Sequence, residues 1–245
     1  MQDAPRLHLD PDDAPLAAGA ALDLPPGHAR YLGTVLRKAP GDPVRLFNAR
    51  DGEWDATITA LRKDRAAIRL DALRRAPAPE PGPVLLFAPL KRDATDLVLR
   101  MATELGVSRI VPVVTGRTNA GRTNPERWRA IAVEAAEQCE RLSVPAIDPP
   151  RPLFDLLGDW DPVVPLLLAL ERAGTAPQSP AAWRRARSAA DAAAEPAILV
   201  GPEGGFSPAE RDTLLSRPFV VPVSLGPTVL RADTAVAAAL ASLRG

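Results

Sequence analysis

Histidine and cysteine are nearly missing from this chain of 245 residues, which holds two of the first, His8 and His28, and one of the second, Cys139. A single cysteine excludes an internal disulfide and a cysteine-rich zinc site, and two histidines leave little imidazole for a metal cluster or a serine-type triad. The expectation is chemistry without a metal and without a histidine base. Long apolar runs are missing too: even VVPLLLAL at 163–170 is too short to cross a bilayer, which takes about 20 residues. With no apolar h-region behind Met1 either, the chain reads as cytoplasmic, with no membrane partner. Net charge is zero, 30 Lys and Arg against 30 Asp and Glu, which argues against a protein that coats nucleic acid through its phosphates alone.

What is present is enough apolar residues, 46%, to fill one large core or two ordinary ones. The charge is unevenly spread. Residues 28–75 carry eleven Lys or Arg against six Asp or Glu, a basic module suited to a structured RNA or another polyanion, although a GC-rich coding sequence enriches arginine by itself. Residues 76–83, APAPEPGP, favour an extended polyproline-type linker and exclude a helix, so the chain divides there. Ahead of the linker, residues 1–75 show short apolar segments separated by turn signals, with Asp51-Gly52 as a hairpin turn, and predict a small β-barrel. A short helix is expected over PPGHARYLGTVLR, bearing Arg30, Tyr31 and Arg37.

From residue 84 to 245 the pattern changes. Strands predicted at PVLLFAPL, VSRIVPVVT, PVVPLLLAL, PAILVGPEGG and FVVPVSLG alternate with helices at RDATDLVLRMATELG, at NPERWRAIAVEAAEQCERL, from Ser207, and from about Asp233. Residues 172–196 read as a connection rich in Pro, Ala and Arg. Such alternation implies an α/β fold on a mostly parallel sheet, with its sites at the carboxyl ends of the strands.

Three strand ends carry unusual loops: LALER (168–172), LVGPEGGFS (199–207) and SLGPTVLRADT (224–234). In the second, Ser207, Pro208 and Glu210 form a helix-opening capping box, which leaves Gly201, Gly204 and Gly205 to take positive φ and bring bare backbone against a ligand. Phosphate suits this loop poorly. The Lys and hydroxyl residue of a P-loop are absent, so is the spacing of a dinucleotide fingerprint, and Glu203 would repel an anion. A neutral or positively charged ligand with a ribose or amine fits better. The third loop also opens with Gly-Pro after a strand, and it leads into an alanine-rich helix whose expected cap is Asp233 or Thr234. Two such loops in one chain indicate a shared site.

These stretches resemble the bacterial RNA methyltransferases that methylate N3 of a uridine in small-subunit ribosomal RNA, a branch of the SPOUT superfamily. The resemblance is carried by MATELGVSRIVPV (101–113), RWRAIAVEAAEQCERLSVPAI (127–147), LVGPEGGFSPAE (199–210) and LGPTVLRADTA (225–235), in the family's order and spacing. It implies a trefoil-knotted α/β methyltransferase domain over 84–245, a PUA-like β-barrel RNA-binding domain over 1–75, and a homodimer formed through the C-terminal domain. It implies S-adenosyl-L-methionine as cofactor and small-subunit ribosomal RNA or the 30S subunit as partner. Cofactor contacts then fall on Leu170, Leu199, Val200, Gly201, Pro202, Glu203, Gly204, Gly205, Leu225, Gly226 and Leu230, and RNA contacts on Arg30, Arg37, Lys38 and Arg45. The catalytic candidates are Arg231, to stabilise negative charge developing on the uracil, and Asp233 or Glu203, to take the N3 proton. Thr228 stands where the family usually carries arginine, Met101 where it carries lysine, and Asp233 where it carries glutamate. A ribose 2'-O-methyltransferase of the same superfamily, or a non-enzymatic RNA-binding ligand sensor, would use the same loops.

Overall fold

The computed structural model describes residues 4–119, 123–170, 178–187 and 195–244. It divides into two compact units, one holding the chain up to Glu80 together with Ala136–Val144, the other Pro81–Ala135 and the chain from Pro145 on. Among the described residues no helix is long and apolar enough to cross a membrane.

The first unit is a five-stranded sheet of β1 (Arg6–His8), β2 (Ala21–Leu24), β3 (Pro43–Asn48), β4 (Gly52–Arg62) and β5 (Arg65–Arg75), in the order β1-β3-β4-β5-β2. Only β1 runs parallel to its neighbour; the other pairings are antiparallel. Burial alternates with the strand period: Ala66, Ile68 and Leu70 face the core while Arg65 and Arg69 are exposed. The expected helix is α1 (Pro26–Arg30), continued by a π-helical turn over Tyr31–Val35, and it adds Ala29 and Leu32 to the core. Of the expected RNA contacts, Arg30 and Arg37 are exposed and Lys38 is half-buried. Arg45 departs from that expectation. Its side chain is buried beside its register partner Arg6, 3.9 Å from Glu53 and 3.8 Å from Asp55, because this position of β3 turns inward.

One side chain makes most of the polar bonds to the start of the second segment of this unit. Buried Arg6 donates from Nε to Glu53 at 3.0 Å, from Nη1 to the carbonyls of Ala136 and Glu137 at 3.0 and 2.8 Å, and from Nη2 to that of Arg141 at 3.0 Å. These carbonyls sit at and beyond the end of α3 (Pro125–Gln138), where helix acceptors lack partners and the helix dipole favours a cation. The guanidinium also lies 4.0 Å over the ring of Phe47, which packs against Ala136 and Leu142. Glu80 secures the following turn, accepting from the backbone of Leu142 and Ser143.

In the second unit, β6 (Val84–Phe87), β7 (Arg109–Val114), β8 (Ala146–Ile147), β10 (Leu166–Ala169), β11 (Ala197–Val200) and β12 (Val220–Val223) make a parallel sheet in the order β12-β10-β11-β6-β7-β8, with β9 (Arg151–Pro152) also on β7. Its strands are apolar on both faces, as a parallel sheet covered on both sides demands. One face buries Leu85, Leu167 and Ile198 beneath α2 (Arg92–Glu104), α5 (Pro180–Ala186) and α7 (Ala232–Arg244); the other buries Leu86, Leu168 and Leu199 against α4 (Leu153–Gly158) and α6 (Pro208–Leu215). Helix α5 falls inside the stretch expected to be a plain connection. Ser179 caps it by accepting from Ala182, with Pro180 in its first turn, while 171–177 and 188–194 lie outside the described residues.

Removing the Arg6 side chain strands three carbonyls and leaves the buried Glu53 carboxylate with only Arg75, at 3.1 Å, and Arg45, at 3.9 Å. Arg6→Ala is expected to destabilise the protein by about 3–5 kcal/mol, the usual consequence of breaking a buried charge network from one side. Urea denaturation checks this, and an unchanged midpoint would show that the network contributes nothing.

Candidate active site

Strand register sets the site. Leu168 on β10 stands opposite Leu199 on one neighbour and Pro222 on the other, so β10, β11 and β12 end side by side at Ala169, Val200 and Val223. The chain returns from β10 first to one flank and then to the other, which makes this edge a topological switch point. A cavity of about 690 Å³ opens there, a volume typical of small-ligand sites. Its walls are Ala169 and Leu170, residues 200–206, Leu225 and Gly226, residues 228–232 and Ala235, with Arg117 and Arg211 at the margin.

The loops bring together most of the residues expected to hold a ligand, with two exceptions. Leu199 is fully buried on the opposite face of β11, because side chains alternate along a strand and its neighbour Val200 takes the cavity side. Asp233 does not line the cavity and is not a cap. Helix α7 begins at Ala232, and the Asp233 carboxylate folds back to accept from the Thr234 amide at 2.7 Å. Arg231, just before the helix, and Glu203 are both exposed and both line the cavity.

The glycines divide by cause. Positive φ occurs at Gly205 (64°) and Gly226 (121°), and at both a Cβ would stand in open space. A bare backbone therefore borders the cavity at these two points, the cradle that a close-fitting ligand needs. Gly201 and Gly204, expected to share that conformation, do not. Gly201 is small because the Phe206 ring lies 2.8 Å from where its Cβ would be, and Gly204 faces the Arg117 side chain at 3.5 Å.

Sequence reasoning missed Arg117 and Arg211. Arg117 follows β7 and donates to the Gly204 carbonyl at 2.8 Å. Beside it, the Gly116 amide donates to Glu210 at 2.7 Å, while the other oxygen of that carboxylate accepts from the Ser207 amide at 2.8 Å to complete the capping box. One carboxylate thus ties the turn after β7 to the loop after β11. The available signal was positional: TGR closes a fourth parallel strand at the same carboxyl edge. Met101 is half-buried on α2 and is not among the cavity residues, whereas Thr228 is.

Residues 79–244 match the RNA methyltransferase domain family and residues 26–71 the RNA methyltransferase PUA domain. The chain belongs to this RNA methyltransferase family. It is similar to the ribosomal RNA small subunit methyltransferase E of Rickettsia conorii, 34% identical over 89% of this chain and 86% of the relative. Among solved structures it resembles a Legionella pneumophila methyltransferase in complex with its cofactor SAM, with a TM-score of 0.82 and 26% identity over 98% of this chain and 97% of that one. It is equally similar to ribosomal RNA small subunit methyltransferase E from Neisseria gonorrhoeae bound to S-adenosyl methionine, with a TM-score of 0.80 and 27% identity over 98% and 97%.

The Glu210 tie makes the domain's site pH-dependent. Burial pushes this carboxyl up, but the bonds from Gly116 and Ser207 and the charge of Arg117 outweigh it and hold its pKa below the usual glutamate value. A depressed folded-state pKa contributes stability that is present above the unfolded value and fades as pH falls through the folded one. The wild type is therefore expected to be more stable than Glu210→Gln at neutral pH, with the gap closing in acid below the ordinary glutamate range. Thermal unfolding of both proteins across pH tests this; a gap independent of pH would assign the tie to shape alone.

Proposed function

We propose that this chain transfers a methyl group from S-adenosyl-L-methionine to N3 of a uridine in small-subunit ribosomal RNA. The observation that carries the reading is the convergence of two glycine loops on one cavity at the switch edge of a parallel sheet, in a member of this family. When bound, the cofactor supplies an electrophilic methyl group for in-line displacement, which needs orientation more than acid or base strength. The backbone from Val200 to Gly205 and at Leu225 and Gly226 would hold the adenine and ribose, with Leu170 and Leu230 as apolar walls. A trefoil knot belongs to the same reading, supported by the position of β10 between β11 and β12, whose loops meet at one edge.

Uridine N3 must lose a proton before it attacks. Glu203 is the carboxylate that lines the cavity among the described residues and is the candidate to take that proton. Arg231 faces the same space and stabilises the negative charge that spreads onto the uracil carbonyls. Exposed Arg30 and Arg37, with Lys38, are the RNA contacts proposed for the first unit. A cytoplasmic homodimer completes the reading. Its support is the family likeness, since the apolar face of α7 is already covered within the chain by contacts to α2 and α5. Light scattering at micromolar concentration tests it, and a monomer overturns it.

The decisive experiment incubates the protein with labelled S-adenosyl-L-methionine and small subunits that lack the modification, then locates the methyl group. Label on uridine N3 supports the reading, and label on a ribose 2'-oxygen overturns the acceptor. Arg231→Ala is expected to leave cofactor affinity nearly unchanged and to slow transfer by about 10²–10³, the scale of losing one preorganised charge-stabilising donor. Arg231→Lys should recover only part of this, because lysine keeps the charge without the planar fork. An alanine variant as fast as the wild type would make Arg231 structural.

A further inference from the structure

Three arginines against one carboxylate line the cavity among the described residues, an excess of positive charge that a cationic cofactor does not explain. Arg211 and Arg231 have no ion pair among the described residues, and Arg117 feels the Glu210 carboxylate only from beyond ion-pair distance, whereas Arg50, Arg109, Arg127 and Arg151 are each paired with a nearby aspartate. Holding unpaired like charges around one opening costs electrostatic energy, so the arrangement points to an anion that arrives from outside. Arg117 and Arg211 sit apart from Arg231, one on the turn after β7 and one on the exposed face of α6, and both are exposed.

We propose that Arg117 and Arg211 form a clasp for phosphodiester groups of the acceptor strand, next to the nucleotide whose base enters the cavity. This rests on the methyl-transfer reading above and leaves Arg231 to serve the base. A guanidinium presents paired donors that suit a phosphate, and it keeps its charge at any working pH. Arg117 has a second task. Its bond to the Gly204 carbonyl joins the clasp to the loop that borders the cofactor space, so gripping the strand and shaping the pocket involve the same side chain. The other anion of suitable chemistry is the carboxylate of the cofactor itself, but these two arginines lie on elements outside the two loops that carry the open glycine backbone.

The two sources separate by salt. Binding of the full chain to small subunits is measured over a range of salt concentrations, alongside S-adenosyl-L-methionine affinity, for the wild type, Arg211→Ala and Arg117→Gln. Glutamine is about two bonds shorter than arginine, so wild-type cofactor affinity in that variant checks that the Gly204 loop has held, and Arg211→Ala, at a side chain that makes no bond to the loop backbone among the described residues, decides between the two sources. Each variant is expected to flatten the slope of log affinity against log salt by about 0.7–0.9, the counterion release of one phosphate contact, and to leave cofactor affinity unchanged. The KM for the RNA should rise while kcat holds. An unaltered slope overturns the clasp, and weakened cofactor binding with an unaltered slope assigns the arginines to the cofactor carboxylate instead. Failure of the wild type to methylate uridine N3 would sink the methyl-transfer reading separately, since the slopes do not depend on which atom is modified.

Discussion

The alignment of β10 with β11 and β12 is the constraint on which the site depends. In a parallel sheet the side-chain period is two, so a slip of one residue along β11 would carry Val200 to the opposite core face and bring Leu199 to the cavity side. Covered by helices on both faces, the sheet has no tolerance for that exchange. Rigid strands therefore fix where the loops after β11 and β12 begin, and these two need only be short and locally well formed to meet. Glycine and proline supply that local form: open backbone at Gly205 and Gly226, a packed ring behind Gly201, and the pre-set turn of Pro208 at the mouth of α6.

Electrostatics at this edge is an outer-surface matter. The strand ends are apolar, the loop contacts come from the backbone, and the charged groups stand at the margin where water screens them until a ligand arrives. Glu210 illustrates the economy of such a margin. A single carboxylate satisfies a helix cap and a neighbouring turn, so two segments almost a hundred residues apart in sequence keep a common geometry.

Much of this was legible beforehand, for identifiable reasons. The parallel strands were read from buried runs such as LLLA and AILV, the opening of α6 from Ser207, Pro208 and Glu210, and the end of α2 from Gly106. Helix α5 carries the same Ser-Pro opening at Ser179 and Pro180, yet proline and arginine around it masked a short apolar face anchored by buried Trp183. Strands β1, β8 and β9 have two or three residues each, too few for any periodicity to show. Arg117 and Arg45 mark the deeper limit. Whether an arginine borders a cavity or is buried beside glutamate is decided by partners 87 and 8 residues away, at Gly204 and Glu53, and composition is silent on both.

The grip of Arg6 on the end of α3 has a consequence for how the chain is made. Synthesis delivers residues from the amino terminus, so every strand of the first sheet exists before the ribosome has added Ala136. At about 5–20 residues per second, the interval between Glu80 and Val144 lasts roughly 3–13 s. Through that time Arg6 has its carboxylate but not its carbonyls, and the Phe47 ring lacks its cover from Ala136 and Leu142. The amino-terminal unit is thus completed late, by a segment that the nascent chain delivers only after the first strands of the second sheet.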